Sequence, residues 1–483
     1  MDDQPPDHDV RDTAPPERVS TRQFLELFSA VMVPMFLAVA DQTLLATATP
    51  RIAAELGGLR DTTWVALGYL MAATVMVPLY GRLGDRFGRR DVLQGSLAIF
   101  AAGSAGCGLA TSLGGLVAAR IVQGLGGGGL MVMAQALVGE LVPPRERARF
   151  QGYFAMNFTI ASVSGPLIGG IVVQHGDWRW LFLANVPLVA LAASRVASLP
   201  RGQRGAAGGL EDLTGIALFT AASALLLVWL TFGGHRFAWN SATGVALGAA
   251  TLALGGALAR RESRLPSPYL PIELLRDRPI ALMSSTVALF AGCLFAVVFY
   301  LPIYLQLGHG TRAVTSGALL LPLTFGMVIG STTTGRVISK TGQAMAAAPI
   351  GLAIAAAALL ALAAVPAEPR AIGGLCFATG LGFGTVMPTS QVLIQTLAGR
   401  SRLGAASSVI ALSRSFGGAV GTAVFGAIAY GWMGDGPRAD GMAAAGGEAA
   451  PHVALAFRIM FATVAAVAAG AAIVAARIPR LRL

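Results

Sequence analysis

The sequence predicts an all-α membrane protein with fourteen spanning helices, arranged as two six-helix bundles with two further helices inserted between them. Three observations predict this fold class: a strongly apolar composition, the recurrence of long apolar runs, and a repeat between the first and last parts of the chain. An apolar run of about 20 residues is long enough to cross the hydrocarbon core of a bilayer as a helix. We therefore expect a multi-pass membrane protein.

The composition excludes most soluble classes. Of the 483 residues, 55% are hydrophobic and 12% are charged, whereas soluble domains carry about 25% charged residues. The net charge of +11 does not indicate a nucleic-acid partner, because the basic residues punctuate apolar runs instead of forming one basic face. The three cysteines and five histidines form no metal-binding or catalytic pattern. We expect neither an enzyme nor a bound cofactor.

Fourteen apolar runs account for most of the chain. They are residues 24–48, 63–80, 92–111, 113–139, 150–173, 179–198, 213–232, 241–259, 280–307, 313–334, 344–365, 371–396, 404–431 and 453–477.

Arg and Lys concentrate in alternate loops between these runs, which places both termini in the cytoplasm by the positive-inside rule. The opening stretch is rich in Pro, Asp and Arg and has no apolar signal-peptide core, so we expect a disordered tail. The predicted organisation is a disordered cytoplasmic tail (1–22), an N-terminal six-helix bundle (23–199), a linker with the two inserted helices (200–279), a C-terminal six-helix bundle (280–477) and a basic cytoplasmic tail (478–483).

The two bundles are related by an internal repeat. Gly81-Arg82 and Gly88 recur 254 residues later as Gly335-Arg336 and Gly342. The Gly-Leu-Gly, Met and Gln pattern that begins at Gly124 recurs 256 residues later, from Gly380 to Gln391. Parallel repeats with a binding site between them near the middle of the membrane are typical of alternating-access carriers.

The charged residues break this symmetry. Asp85 aligns with Ser339, and Arg120 aligns with Cys376. Asp41 is an acidic residue well inside the first span, and a charge at that depth costs about 2.5–3.5 kcal/mol on insertion scales. We therefore expect Asp41 and Arg120 to face a watery cavity, and Asp41 to load and release a proton. The alternatives are that Asp41 caps a helix break near Pro50 or pairs with a neighbour, and that Arg120 braces helices through backbone carbonyls.

The segment Gly81–Arg90 is a charged turn between two apolar runs, and its pattern G-x-L-x-D-R-x-G-R-R contains Asp85, Arg86, Gly88 and Arg89. It resembles the loop between the second and third helices of the major facilitator superfamily of transporters. Ala119–Gly124, around Arg120, resembles the fourth-helix motif of proton-coupled members. The resemblance implies that Asp85 and Arg89 latch the cytoplasmic side through contacts with helix ends, and that Arg120 responds to proton binding.

The fifth run contains Gly165, Pro166, Gly169 and Gly170, whose small residues allow a helix to pack closely on a partner. Ordinary helix packing would explain them, but they also look like the motif of the antiporter branch. The first-span sequence Asp41-Gln42-Thr43 and the two inserted helices resemble the fourteen-helix drug:proton antiporters.

The resemblance implies a proton-driven exporter of drugs, dyes or other amphiphiles in the bacterial cytoplasmic membrane, with protons, a small-molecule substrate and lipid as its partners. We expect a monomer; a periplasmic adaptor is compatible with the sequence. The alternatives are a proton symporter or uniporter for a metabolite, and an exporter of an endogenous lipid or secondary metabolite.

Polar residues inside the spans are the candidates for the substrate cavity. They are Gln42, Gln135, Asn157, Tyr300, Tyr304, Gln306, Gln391 and Arg414. The C-terminal spans lack mid-span carboxylates, which predicts monovalent cations or neutral or anionic amphiphiles in preference to dications. Arg414 either faces the cavity or braces its helix.

Overall fold

The computed structural model describes residues 21–56, 63–201, 212–233, 237–265, 269–309, 313–343, 345–364, 369–433 and 450–479. Most of the predicted N-terminal tail and the last four residues lie outside these ranges. Within them the chain is almost entirely helical and contains no β-strand. The all-α prediction is confirmed.

Helices fill the N-terminal part as predicted, with the sixth span divided in two. They are α1 (Thr21–Leu56), α2 (Thr63–Phe87), α3 (Arg89–Gly108), α4 (Leu113–Leu141), α5 (Pro144–His175), α6 (Arg179–Leu183) and α7 (Asn185–Ala197).

The inserted pair and the C-terminal part follow. They are α8 (Leu213–Phe232), α9 (Ala242–Glu262), α10 (Ile272–Arg276), α11 (Arg278–His309), α12 (Ala313–Ala318), α13 (Leu321–Thr341), α14 (Ala347–Ala364), α15 (Pro369–Phe383), α16 (Val386–Ala398), α17 (Leu403–Met433) and α18 (Ala450–Ala476). A short 3₁₀ turn, Arg400–Arg402, joins α16 to α17.

Twelve spans within the described residues are long and apolar enough to cross a membrane, so fourteen stays a prediction. The two other predicted spans correspond to α3 and α5, which have 20 and 32 residues but are not among the twelve. Both helices bury polar side chains against neighbours, including Ser96 and Ser104 on α3 and Gln151 on α5. Helices that face protein on several sides need less apolar surface than helices surrounded by lipid.

The two bundles have separate apolar cores, and two equivalent pairs of helices make most of the contact between them. One core lies among α1–α5 and α7, and the other lies among α11 and α13–α18. Between the bundles, α2 packs on α17 and α5 packs on α13. These two contacts are equivalent under the repeat seen in the sequence.

The inserted helices α8 and α9 form a hairpin that lies over the α2–α17 contact. Phe219 of α8 packs edge-on against Phe416 of α17, with ring centroids 6.2 Å apart, and it also contacts Tyr269. The Tyr269 hydroxyl donates to the Val75 carbonyl of α2 over 3.4 Å. The hairpin therefore touches both bundles.

Close approach at this interface depends on glycine. A Cβ atom on Gly81 of α2 would collide with Ser408 of α17, and a Cβ atom on Gly335 of α13 would collide with the Ala148 carbonyl of α5. The turns that follow these helices contain Gly88 at φ 96° and Gly342 at φ 68°, a conformation that other residues rarely adopt. The repeated glycines thus have repeated structural roles.

Candidate functional site

Asp41 and Arg120 form a buried ion pair inside the N-terminal bundle. Arg120 Nη1 donates to Asp41 Oδ2 over 2.5 Å, and the two side chains are 1% and 2% exposed. Asp41 lies on α1 and Arg120 on α4, so the pair ties two helices of the same bundle together.

Three further polar side chains complete this network. The Gln123 amide donates to Asp41 Oδ1 over 2.8 Å and accepts from Arg120 over 2.7 Å. Asn185 of α7 donates to the same Asp41 oxygen over 3.2 Å, and the Ser104 hydroxyl of α3 accepts from Gln123 over 2.7 Å. A carboxylate with three donors and a guanidinium with matched acceptors satisfy the rule that buried polar groups are hydrogen-bonded.

Aromatic and backbone groups enclose the Arg120 guanidinium. Its carbon lies 4.4 Å from the centre of the Tyr69 ring and 5.7 Å from that of Phe182. Its Nε donates to the Val65 carbonyl of α2 over 3.2 Å. The positive charge is therefore stabilised by a carboxylate, two ring faces and a carbonyl together.

The expectation that Asp41 and Arg120 face a watery cavity is wrong for this structure. Each side chain is closed off by the other and by its polar neighbours, because pairing offsets part of the cost of removing two charges from water. The alternatives weighed for both residues are partly correct, since Asp41 pairs with a neighbour and Arg120 bonds a backbone carbonyl. No helix break follows Asp41, because α1 continues through Pro50 to Leu56.

Asp85 joins the two bundles at the end of α2. Its two carboxylate oxygens accept from the backbone N–H groups of Gly404 and Ala405, over 2.8 and 3.0 Å, at the first turn of α17. A helix N-terminus has unpaired N–H donors and a partial positive charge, so it binds a carboxylate favourably. This contact has the form that the sequence resemblance implies for the cytoplasmic latch.

Arg89 extends the same contact. It donates to Asp85 over 2.7 Å and to the Arg400 carbonyl beyond α16 over 2.9 Å, and it pairs with Glu140 of α4 at 3.0 Å. We call the group Asp85, Arg89, Glu140, Gly404 and Ala405 the latch.

Burial and the nearby charges of Arg400 and Arg89 lower the pKa of Arg147, at the start of α5, to about 10.

Arg86 and Arg90 of the loop stay within their own bundle in the described contacts. Arg90 donates to the Ala197 carbonyl at the end of α7 over 2.5 Å. Arg86 lies over the ring of its neighbour Phe87, with 5.1 Å from the guanidinium carbon to the ring centroid. Gly88 supplies the turn, and Arg86 and Arg90 are not part of the contact with α17.

The glycine motif of α5 packs against α1. Thr43 donates to the Ala161 carbonyl over 3.2 Å, and a Cβ atom on Gly165 would collide with the Thr43 hydroxyl. Gly169 is buried, whereas a Cβ atom on Gly170 would meet nothing within 4 Å. The helix is continuous through Pro166. Of the four motif residues, Gly165 is the one with a demonstrated close contact.

The candidate cavity residues do not form one cluster. Tyr304 packs with Phe457 and Phe461 inside the C-terminal bundle, and Tyr300 donates to the Thr422 carbonyl of α17 over 2.8 Å. Gln306 donates to Ser316 over 3.0 Å within the same bundle. The expectation that Tyr304 lines the cavity is wrong, because its ring is committed to the bundle core.

Two candidates lie on the N-terminal bundle with accessible surface. Gln42 is exposed and its amide donates to the Ala38 carbonyl of its own helix over 3.3 Å. Asn157 of α5 is half-buried and donates to the Met32 carbonyl of α1 over 3.1 Å.

The three remaining candidates lie at the interface of the bundles. Arg414 of α17 reaches the sulfur of Met131 on α4, with 2.8 Å between Nη2 and Sδ. Gln135 of α4 and Gln391 of α16 are buried, at 6% and 1% exposed. This part of the prediction brings residues of both bundles together.

Several participants were missed from the sequence. Glu140 and Ser104 gave no signal, because single polar residues at these positions are common in helices. Gln123 could have been found, since it lies one turn from Arg120 and i, i+3 neighbours share a helix face. Asn185 could not have been found from the sequence, because its bond to Asp41 depends on the tertiary fold.

The fold agrees with comparisons to known proteins. A multidrug transporter protein of Bacillus subtilis, MdtP, is 33% identical over 406 residues, which cover 83% of this chain and 74% of that protein. Multidrug resistance protein 3 of the same organism is 28% identical over 421 residues, covering 86% and 81%.

A solved structure, that of the human organic anion transporter MFSD10, matches with a TM-score of 0.63 at 16% identity, covering 93% of this chain and 99% of that one. This likeness concerns the fold alone. The family model of the Major Facilitator Superfamily matches residues 31–422. The chain therefore belongs to the Major Facilitator Superfamily of membrane transporters.

Proposed function

We propose that this transporter is a proton-coupled antiporter that exports lipophilic or amphiphilic small molecules by alternating access, in a bacterial cytoplasmic membrane. The observation that carries the proposal is the buried Asp41–Arg120 ion pair. The names of the two Bacillus relatives support the export of drugs.

Protonation of Asp41 is the step that links the proton to the conformation. A neutral carboxyl group no longer balances the Arg120 charge, and a buried charge without its partner costs about 3–5 kcal/mol. The network that joins α1, α4 and α7 must then rearrange, so that Arg120 finds other acceptors or water. A proton entering from outside would in this way favour the state that releases substrate outward.

The driving force is sufficient for export. A membrane potential of 100 mV supplies about 2.3 kcal/mol for each charge moved. Each 1.4 kcal/mol corresponds to about a tenfold concentration ratio, so one or two protons would sustain gradients of about forty-fold to a thousand-fold or more.

The latch supplies the second half of the cycle. In this structure Asp85 and Arg89 hold the ends of α2 and α17 together, which closes the side of the protein that the charge distribution places in the cytoplasm. Opening inward requires these hydrogen bonds to break, and closing re-forms them. Because the repeated position is Ser339, only the N-terminal loop supplies a carboxylate.

The test is export by the purified protein in proteoliposomes with an imposed pH gradient. Asp41→Asn keeps the size of the side chain and removes the titrating group, so we expect dye uptake against its gradient to fall at least about tenfold, as for the loss of a general acid–base group. Asp277→Asn, an exposed acid in the loop before α11, is the matched control and should transport normally. Undiminished gradient-driven transport by Asp41→Asn would contradict the proposal.

A further inference from the structure

Arg414 is a charged residue near the middle of a span, and it has no counter-ion among the residues that the structure describes. It lies eleven residues from the start of α17, which is about 16 Å along a helix and thus about half of a hydrocarbon core of about 30 Å. Among the described residues its hydrogen-bond partner is the Met131 sulfur, and it enters no ion pair. Arg120, the buried arginine of the other bundle, has the Asp41 carboxylate as its counter-ion.

A thioether is a poor substitute for an anion. It is a weak acceptor with no negative charge, whereas a guanidinium presents five N–H donors in a planar fork that fits a carboxylate, sulfonate or phosphate. Arg414 as a whole residue is half-buried. Most N–H donors of Arg414 therefore have no acceptor among the described residues and are available to a bound ligand.

Gln391 is a second incomplete polar group at this interface. Its side chain is 1% exposed, and neither the amide nitrogen nor the amide oxygen has a hydrogen-bond partner in the described structure. A buried polar group without a partner costs about 1–3 kcal/mol. A ligand that hydrogen-bonds this amide would remove that cost.

The register of the helices places Gln391 near Arg414. Gln395, one turn further along α16, donates to the Gln135 carbonyl of α4 over 3.1 Å and to Ser407 of α17 over 3.2 Å. Residues four apart lie on the same face of a helix, so Gln391 also faces α4 and α17, one turn further from the latch. Met131 is likewise one turn before Gln135 on α4, and this is the residue that Arg414 contacts.

We infer that Arg414 and Gln391 bind the anionic group of the substrate, and that anionic amphiphiles are therefore the preferred class. This inference rests on the proposed transport function and names its substrate. Arg414 supplies the charge, the Gln391 amide supplies a further donor, and the apolar body of the substrate lies along the bundle interface. The Asp41–Arg120 pair is separate from this site and is neutral overall, so it does not offset the positive charge of Arg414.

The competing explanation is that Arg414 only braces α17 against α4. A brace and a binding group differ in what they do to ligands of opposite charge. Losing a brace weakens every ligand alike, whereas losing a binding group weakens anions and leaves cations unchanged or bound more tightly. A pair of dyes with the same ring system and opposite charge distinguishes the two.

The experiment measures binding of fluorescein, an anion, and rhodamine 6G, a cation, to the full-length protein in phosphatidylcholine nanodiscs by fluorescence anisotropy at pH 7.5. We expect the wild type to prefer fluorescein. Arg414→Gln should raise the Kd for fluorescein about 10- to 100-fold, the range of one charge-assisted hydrogen bond, and change the Kd for rhodamine 6G less than about twofold. Gln391→Leu should weaken fluorescein binding by a smaller factor.

Two controls keep the result specific. Arg458→Gln removes the same charge from an exposed position on α18 and should bind both dyes as the wild type does. Arg414→Lys keeps the charge but loses the fork, so fluorescein binding should fall by an intermediate factor. If Arg414→Gln does not fold, competition of benzenesulfonate against fluorescein on the wild type decides, and no competition would count against the inference.

Equal loss of both dyes in Arg414→Gln, unchanged fluorescein binding, or a wild-type preference for rhodamine 6G would each overturn the inference. The assay uses no proton gradient, so its outcome is independent of proton coupling. A protein that binds fluorescein through Arg414 but does not exchange protons would refute the proposed antiport and leave the anion site standing.

Discussion

At the scale of single residues, the two charged groups that we propose for proton coupling form an ion pair with each other. Asp41 and Arg120 were predicted as functional because charges inside apolar runs are costly and are seldom without a role. Their pairing was not predictable, because it depends on how α1 and α4 pack. The two residues are 79 positions apart in the sequence, so no helical periodicity relates them.

The latch gives a prediction at this scale. Replacing Asp85 by Asn leaves the side-chain shape but removes the charge that the α17 N-terminus and Arg89 stabilise. We expect the closed state to lose about 1–3 kcal/mol, the value of hydrogen bonds to a charged group. Spin labels on the exposed residues Phe87 and Ser401 should then report longer distances in a larger fraction of molecules.

Asp91→Asn is the control for this measurement, since it removes an exposed acid from the first turn of α3 and not from the latch. It should give the wild-type distance distribution. An unchanged distribution in Asp85→Asn would show that the carboxylate does not hold the cytoplasmic side closed.

At the scale of helices, the sequence predicted where spans lie better than how they are built. The structure has a helix at each of the fourteen apolar runs, but three of these runs each contain two helices. One such pair is α15 and α16, which are separated at Gly384 and Thr385. Hydropathy cannot report such breaks, because a turn buried in protein stays as apolar as the helix around it. The polar faces of α3 and α5 were also invisible to hydropathy, since they depend on which neighbours cover them.

The contact between α1 and α5 gives the prediction at this scale. Gly165→Ala places a methyl group against Thr43 and must move one helix, and overpacking of this kind costs about 1–3 kcal/mol. We expect a lower thermal midpoint in detergent and faster proton leakage through proteoliposomes. Gly170→Ala adds the same methyl group five residues later, where nothing lies within 4 Å.

Gly170→Ala should be neutral or slightly stabilising, because Ala favours a helix over Gly by about 0.5–1 kcal/mol. Equal effects of the two substitutions on stability and leakage would show that the Gly165 contact has no special importance for α5.

At the scale of the whole molecule, the two bundles share a fold but differ in charge. The N-terminal bundle contains the Asp41–Arg120 pair and supplies Asp85 to the latch, whereas the C-terminal bundle contributes Arg414, which has no counter-ion in the described part of the chain. The repeat in the sequence predicted the matching helices, and its broken positions predicted this asymmetry. Gln391 and Arg414 were identified as candidates, but their common interface with Met131 required the structure.

These differences divide the work of the proposed cycle. The ion pair binds and releases the proton, the latch closes the cytoplasmic side, and the interface near Arg414 binds the substrate. Phe219 of the inserted hairpin contacts α17, and Tyr269, which follows α9, donates to α2. Any rocking of one bundle against the other must therefore change these contacts.

The central claim is that a proton on Asp41 favours release of the substrate, so that binding of the substrate must favour release of the proton. The most direct test measures proton release when a transported dye is added to purified protein in weakly buffered detergent solution. A pH indicator follows the change, at a pH at which the protein exports the same dye in proteoliposomes. We predict that substrate binding acidifies the solution by up to one proton for each site occupied, and that Asp41→Asn binds the dye without releasing protons. Binding by the wild type with no proton release, or with proton uptake, would contradict the account.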